Sequence, residues 1–480
     1  HASNSILQTG PVLRITSNQL VQNCEGSSRR EFLRIGALGL GGLTLPHLLA
    51  TRAAAGEGSD ILTGKSVVML NLQGGPTHIE TFDPKMTAPS EYRAMFGETK
   101  TSLPGVTFGS HFPMLGKLAH KMAVVRSFAH GNGSHGSAAA LVAAGGNPTK
   151  ACMGSLYARL AGLNNTETGL PNNTLVVPAA MGKQYKDLNA VPSRITSTGD
   201  LPKAYQAFDP STGSNILNDM QLNLPDGRFE DRRGLLQRLD ELKRYTDNGG
   251  VAGASEFEQQ AFEVILGGVS KVFDLSDEDP RWMERYDTGH IKIPKGLPKK
   301  KKNGKAIPGF SPEALGKQMM MARRLCESGC GFVTVTNTGW DMHGNAFGVD
   351  DGMPILGPAV DKAVSAFIED CEARGLSEKI LLVITGEFGR TPRINSKGGR
   401  DHWGRLCTLA FAGGGLKMGQ VIGRSDKTAS SPASDLVTNN MLLGTVMHTL
   451  FDIPNLRLRN NFPADIQRVI TNSKPIPQLV

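Results

Sequence analysis

Five of the 11 histidines in this 480-residue chain stand in four short polar segments, beside carboxylates and arginines. The first segment holds Gln73, Thr77, His78, Glu80 and Asp83, and the second His130, Ser134, His135 and Ser137. The third holds Asp341 and His343; the fourth holds Glu387 and Arg390, with Arg400, Asp401 and His402 beyond. Neutral imidazoles and carboxylates are ligands for a divalent ion such as Zn2+ or Ca2+, whose charge lowers the pKa of a bound water or steadies an anionic transition state. Arg390 and Arg400 suit a bidentate clamp on an anionic group. A single His or Asp in a Gly-rich loop is ordinarily a turn or cap former. Clustering in four places is hard to explain by packing and points to a metal-assisted site.

Each polar segment follows an apolar run of strand length. Residues 66–72 (Ser-Val-Val-Met-Leu-Asn-Leu) read as a buried first strand ended by Gly74-Gly75-Pro76, and residues 122–126 as a second strand, followed by a small-residue helix at 138–144. Further on come a helix at 311–326, a strand at 332–336, a helix at 359–374, strands at 379–385 and 406–412, and a closing helix at 436–451. This alternation predicts a doubly wound α/β fold, a mostly parallel sheet covered on both faces, with sites at the carboxyl ends of its strands. Residues 166–305 change character and read as an insertion or cap. They carry Asn/Gly/Pro-rich loops and helices at 229–245 and 254–272, the first with Leu235, Leu236, Leu239 and Leu242 on one face. Gly74-Gly75 and Gly413-Gly414-Gly415 match neither a phosphate loop nor a dinucleotide fingerprint and read as tight turns. A Gly-x-Ser-x-Gly elbow is absent, which removes the usual sign of a serine hydrolase.

The start of the chain reads as an address. Ser28-Arg29-Arg30-Glu31-Phe32-Leu33-Arg34 precedes a modestly apolar, Gly- and Leu-rich stretch at 35–50 and the small residues Ala53-Ala54-Ala55. That is the pattern of a twin-arginine signal peptide, too short and glycine-rich for a membrane span, and it makes the translocase a partner and the mature chain periplasmic or secreted. Folded export lets a metal be loaded before translocation. Residues 1–55 hold five Arg against two Glu, so +5 of the net charge of +8 remains in the mature part. Such a mild excess argues against a nucleic-acid partner, and the run Lys299–Lys302, without interleaved aromatics, reads as a solvated loop. No later stretch is apolar enough to span a bilayer. Five cysteines follow the signal: Cys152, Cys326, Cys330, Cys371 and Cys407. Cys326 and Cys330 at i,i+4 spacing lack a second ligand pair for zinc, leaving core packing or a local disulfide.

Four longer motifs, in order, carry a resemblance. Residues 72–85 (Leu-Gln-Gly-Gly-Pro-Thr-His-Ile-Glu-Thr-Phe-Asp-Pro-Lys), Gly339-Trp340-Asp341-Met342-His343, Gly386-Glu387-Phe388-Gly389-Arg390-Thr391-Pro392 and Gly399-Arg400-Asp401-His402-Trp403 resemble the exported bacterial proteins called domain of unknown function 1501, abundant in planctomycete-like genomes. That family is similar to the alkaline phosphatase and sulfatase superfamily. The resemblance implies a doubly wound core and a metal site in which Asp341 and His343 match the paired ligands, Glu387 the later Asp and His402 the final His. Gln73 falls where the superfamily has its first Asp, so His78, Glu80 or Asp83 would substitute. His135 falls on the nucleophile slot, flanked by Ser134 and Ser137. The implied function is a metal-dependent hydrolase of sulfate or phosphate esters, on a small anionic ester or a sulfated or phosphorylated polysaccharide. The alternative is a non-catalytic binding or structural protein of the same fold.

Overall fold

A computed structural model of the chain describes residues 61–185, 192–211, 270–293, 310–344 and 347–480, all within one compact unit, Gly58–Val480. The expected export signal, the lysine run, the expected helix at 229–245 and most of that at 254–272 lie outside the described residues.

Seven strands form the central sheet: β1 Ser66–Gln73, β2 Met122–Val125, β3 Asn173–Val176, β4 Phe332–Thr338, β5 Ile380–Thr385, β6 Leu409–Gly413 and β7 Gln420–Ile422. Their order is β7-β2-β6-β5-β1-β4-β3, and every pairing is parallel except those of β6, which runs antiparallel to both β2 and β5. The expected mixed α/β architecture with a large, mostly parallel sheet is therefore present. All eight residues of β1 are buried. Val68, Leu70 and Leu72 enter one core cluster, while Val67 and Met69 enter another, because successive side chains leave opposite faces of a strand.

The helices that matter for the site are α1 His135–Ala144, α2 Met153–Ala161, α3 Leu315–Glu327, α4 Val349–Ala373, α5 Asn439–Leu450 and α6 Ala464–Asn472. Residues of α3 and α4 fill the first cluster, and residues of α2, α5 and α6 the second. Two boundaries differ from the sequence reading. Helix α1 begins at His135, with Ser134 at its N-cap, rather than at 138. Helix α4 begins ten residues before 359 and contains Pro354 and Pro358. A proline inside a helix costs about 3 kcal/mol. Burial of Val349, Met353, Leu356, Val360 and Val364 offsets that cost, a tertiary contribution that local propensity does not contain.

All five described cysteines are buried thiols, so the 326/330 spacing serves packing rather than a disulfide. Among the described residues, no helix is long and apolar enough to cross a membrane.

Candidate metal centre

The register Gln73↔Thr338 between β1 and β4, and Asn71↔Thr385 between β1 and β5, brings the carboxyl ends of three adjacent parallel strands to one edge. Loops 74–77, 339–343 and 386–390 leave that edge side by side, and the loop after β2 delivers α1 beside them. A two-residue antiparallel ladder, Gly389↔Trp403 and Arg390↔His402, folds the Arg400–His402 part of the fourth polar segment back onto its Glu387–Arg390 part.

Gly74 and Gly75 make this convergence possible. Gly74 has φ +117°, and a Cβ there would stand 2.4 Å from the backbone N of Asp341; one on Gly75, at φ +85°, would stand 2.3 Å from the Phe388 ring. Only glycine allows both the backbone angle and the approach. The two residues read as a tight turn are thus the clearance through which β1 meets the 340–341 and 387–390 loops.

Asp341 is the hub. Its Oδ1 lies 3.3 Å from His402 Nε2 and 3.4 Å from His135 Nε2, and its Oδ2 lies 3.1 Å from His343 Nε2. Ligand atoms of His135, Asp341 and His402 all fall within 4.8 Å of one another. Behind them, His135 Nδ1 lies 2.7 Å from Glu387 Oε1, and that oxygen also accepts the Gly74 N–H at 2.8 Å. His402 Nδ1 lies 2.9 Å from the carbonyl oxygen of Gly133. An imidazole whose Nδ1–H is held by an acceptor presents a lone pair at Nε2, and both rings turn that atom toward Asp341.

Three acceptor atoms meeting at one point call for positive charge. Burial pushes the His135 imidazole down, but Asp341 and Glu387 outweigh burial and hold it up at about 9. Burial likewise pushes the Asp341 carboxyl up, yet hydrogen bonds from His135, His343 and His402 and the charge of Arg390 hold it well below the usual carboxylate range. A divalent cation fits the same place by displacing the His135 proton, which leaves two imidazoles and a carboxylate as donors with carboxylate and carbonyl partners behind them. The second Glu387 oxygen, Oε2, is buried without a hydrogen-bond partner, as an acceptor left for a cation would be.

Not every residue singled out in the sequence reaches this point. His343 and Glu387 stand one hydrogen bond behind the three-residue set. His78, expected as a ligand, is instead buried with Nε2 3.0 Å from the carbonyl oxygen of Ala429, and burial lowers its pKa to about 4. Glu80 and Asp83 are no substitutes either, since Glu80 pairs with Arg400 and Asp83 accepts from Ser425 Oγ.

The two arginines expected to clamp an anion are committed internally. Arg390, 0 % exposed, donates to the carbonyls of Gly74, Gly75, Trp340 and Arg400 and to Asp341 Oδ1 at 2.6 Å. Arg400, also 0 % exposed, spends its donors on Glu80 and on the carbonyls of Tyr92, Arg93, Thr391 and Pro392. Arg390 thus positions Asp341, and Arg400 fastens the 391–400 loop.

Of the serines beside His135, Ser134 is exposed and makes no capping bond, while exposed Ser137 exchanges hydrogen bonds with Asn132. Neither faces a basic group. His130 lies 3.3 Å from Cys407 Sγ and accepts the Asn132 N–H, which braces the loop before α1. That role of Cys407 had no signal in the sequence, because its partner is 277 residues away.

The fold and this cluster define a mixed α/β protein with a candidate metal centre at its strand ends. The chain matches the family described as "Protein of unknown function (DUF1501)" over residues 64–476 and belongs to that family. No curated protein matches it. Among solved structures it is similar to a sulfatase from Pseudoalteromonas sp., with 13% identity over 88% of this chain and 74% of that one and a TM-score of 0.33. It is similar also to a phosphonate monoester hydrolase from Silicibacter pomeroyi, with 11% identity, 85% and 76% coverage and a TM-score of 0.32. A lipoteichoic acid synthase from Listeria monocytogenes gives 9% identity, 76% and 67% coverage and a TM-score of 0.30.

Proposed function

We propose that the protein is an exported, metal-dependent hydrolase of sulfate or phosphate esters, built on a doubly wound core of the alkaline phosphatase kind. The observation that carries the reading is the convergence of His135 Nε2, His402 Nε2 and Asp341 Oδ1, with both Nδ1 atoms already held from behind. His135, Asp341 and His402 would hold the ion, with His343 and Glu387 as supporting groups. A divalent ion there supplies positive charge to an anionic ester and lowers the pKa of a water.

The chain's own groups define the rest. Glu387 and the Gly133 carbonyl orient the two rings, Arg390 orients Asp341, and half-buried His343 sits on Asp341 where it can take a proton from an attacking water. Water is the nucleophile in this reading because Ser134 and Ser137 face no base. The twin-arginine motif supports export to the periplasm or beyond, and the candidate cation centre supports an anionic substrate, a small ester or a sulfated or phosphorylated polysaccharide.

Two observations favour a second reading, a binding or structural protein without turnover. No serine hydroxyl is poised beside His135, and Arg390 already occupies Asp341 Oδ1. Elemental analysis of the purified protein, followed by a panel of sulfate and phosphate esters, separates the two. Stoichiometric metal with ester hydrolysis supports the hydrolase; stoichiometric metal with no turnover supports the binding protein; no metal removes the basis of the hydrolase and leaves a binding or structural role.

A further inference from the structure

The motif Gly386–Pro392 supplies Glu387 and Arg390 to the centre, and between them stands Phe388, whose residue type brings no reactive group. Its side chain is 0 % exposed and packs against both candidate ligand rings. The Phe388 ring centroid is 4.5 Å from that of His402 at an interplanar angle of 33°, and 4.9 Å from that of His135 at 45°. The two imidazoles themselves meet edge to face, 4.4 Å apart at 75°. Offset and tilted ring pairs at such distances attract beyond the apolar area they bury.

Hydrogen bonds alone leave these imidazoles under-constrained. Glu387 and the Gly133 carbonyl each hold one Nδ1 atom, and a ring held at one atom still rocks about that contact. A metal centre needs its ligand atoms held to within about 0.5 Å, which takes packing as well as hydrogen bonds. Phe388 is itself fixed from other directions. The Gly75 backbone approaches the ring so closely that a Cβ there would overlap it, Arg390 Cζ lies 5.5 Å from the ring centroid, and the next residue, Gly389, pairs with Trp403. The side chains of Asp341 and His343, by contrast, are 35% and 38% exposed, so solvent and ligand reach the cluster past them and not past Phe388.

We propose that Phe388 is a positioning residue, whose ring fixes the planes of both His135 and His402 so that their Nε2 atoms, already of the right tautomer, also point at one place. This deepens the hydrolase reading and rests on it for the presence of an ion. Phe388 makes no bond to ion or substrate; what it contributes is the geometry of the two ligand rings and, through that, the affinity of the centre.

The test is titration of the chelator-washed full chain with cobalt(II), whose visible absorption reports the arrangement of its ligands, in the wild type, Phe388→Leu, Phe388→Tyr and Phe411→Leu. Phe411, on β6, is equally buried in the same core cluster, so its truncation reproduces the loss of packing alone. Losing two ring contacts of this kind corresponds to about tenfold in affinity. Phe388→Leu is expected to bind cobalt about tenfold more weakly and with an altered spectrum. Phe388→Tyr keeps the ring and should keep the wild-type spectrum even where its added hydroxyl lowers the thermal midpoint, and Phe411→Leu should keep it too. Phe388→Met is read in place of Phe388→Leu if the latter does not fold. Wild-type spectrum and affinity in Phe388→Leu, or the same change in Phe411→Leu, overturns the proposal and leaves the metal centre standing. No cobalt bound by the wild type sinks the hydrolase reading, and the positioning role with it.

Discussion

Glu387 Oε1 lies 2.7 Å from Nδ1 of His135, and this one contact fixes which nitrogen of the ring faces Asp341. Glu387→Gln keeps the shape and the acceptor for Gly74 N–H but removes the charge behind the ring. Loss of such a partner costs about 10–100-fold in metal affinity. Titration against a competing chelator measures it, and an unchanged affinity would show that Glu387 does not support the site.

The three-residue set makes a sharper claim about ligands than the sequence motifs do. His135→Ala and His402→Ala should each abolish stoichiometric metal, whereas His343→Ala should retain it because His343 stands against Asp341, outside the three-residue set. Elemental analysis of chelator-washed samples decides. Metal lost from His343→Ala to the same extent would widen the ligand set.

If water attacks the ester, Ser137→Ala and Ser134→Ala hydrolyse at the wild-type rate. Ser137 is held by Asn132 and no base faces it. Abolished turnover in either variant, with metal retained, would point to a covalent serine and against direct attack by water.

Arg400 is expected to matter for stability rather than for substrate. Arg400→Ala leaves Glu80, 2 % exposed, as a buried carboxylate without its partner. Breaking a buried pair this way costs about 3–5 kcal/mol. Urea unfolding should show a lower midpoint, while the folded fraction still binds one metal. A variant of unchanged stability would contradict the internal role.

A pH effect follows from Asp361, whose carboxylate accepts the N–H groups of Met114 and Leu115 at 3.0 and 2.8 Å. Burial pushes this carboxyl up from 3.8 to about 6, against the pull of those two bonds. The folded state therefore holds the proton more tightly than the unfolded chain. Its contribution is most favourable below about 3.8 and is lost as pH rises to about 6, by roughly 3 kcal/mol. Asp361→Asn should flatten the stability profile in that window, measured by urea unfolding of both proteins. Parallel profiles would refute the assignment.

Much of the scaffold was written in local chemistry. Buried parallel strands are continuous apolar runs, so the strand read at 66–72 is one residue short of Ser66–Gln73, and that at 332–336 is two short of Phe332–Thr338. The polar residues just past those runs had to emerge at one sheet edge. His135, Asp341 and His402 were therefore legible as candidates, because parallel strands put their carboxyl ends together.

Which candidates meet, and by which atoms, was decided by tertiary contacts alone. Residue type shows that Arg400 is charged, but not that Glu80, 320 positions earlier, would bury with it. Nor could spacing show that Gly389↔Trp403 pairing would swing His402 onto Asp341, or that His78 would turn away to Ala429. The sequence by itself determined the family, through its four ordered motifs, and the sheet and the set of groups able to do chemistry, because buried strands are local apolar runs and reactive groups are given by residue type. The tertiary structure decided the roles, since a ligand, a brace and a buried ion pair use the same side chains and differ only in what long-range packing sets beside them.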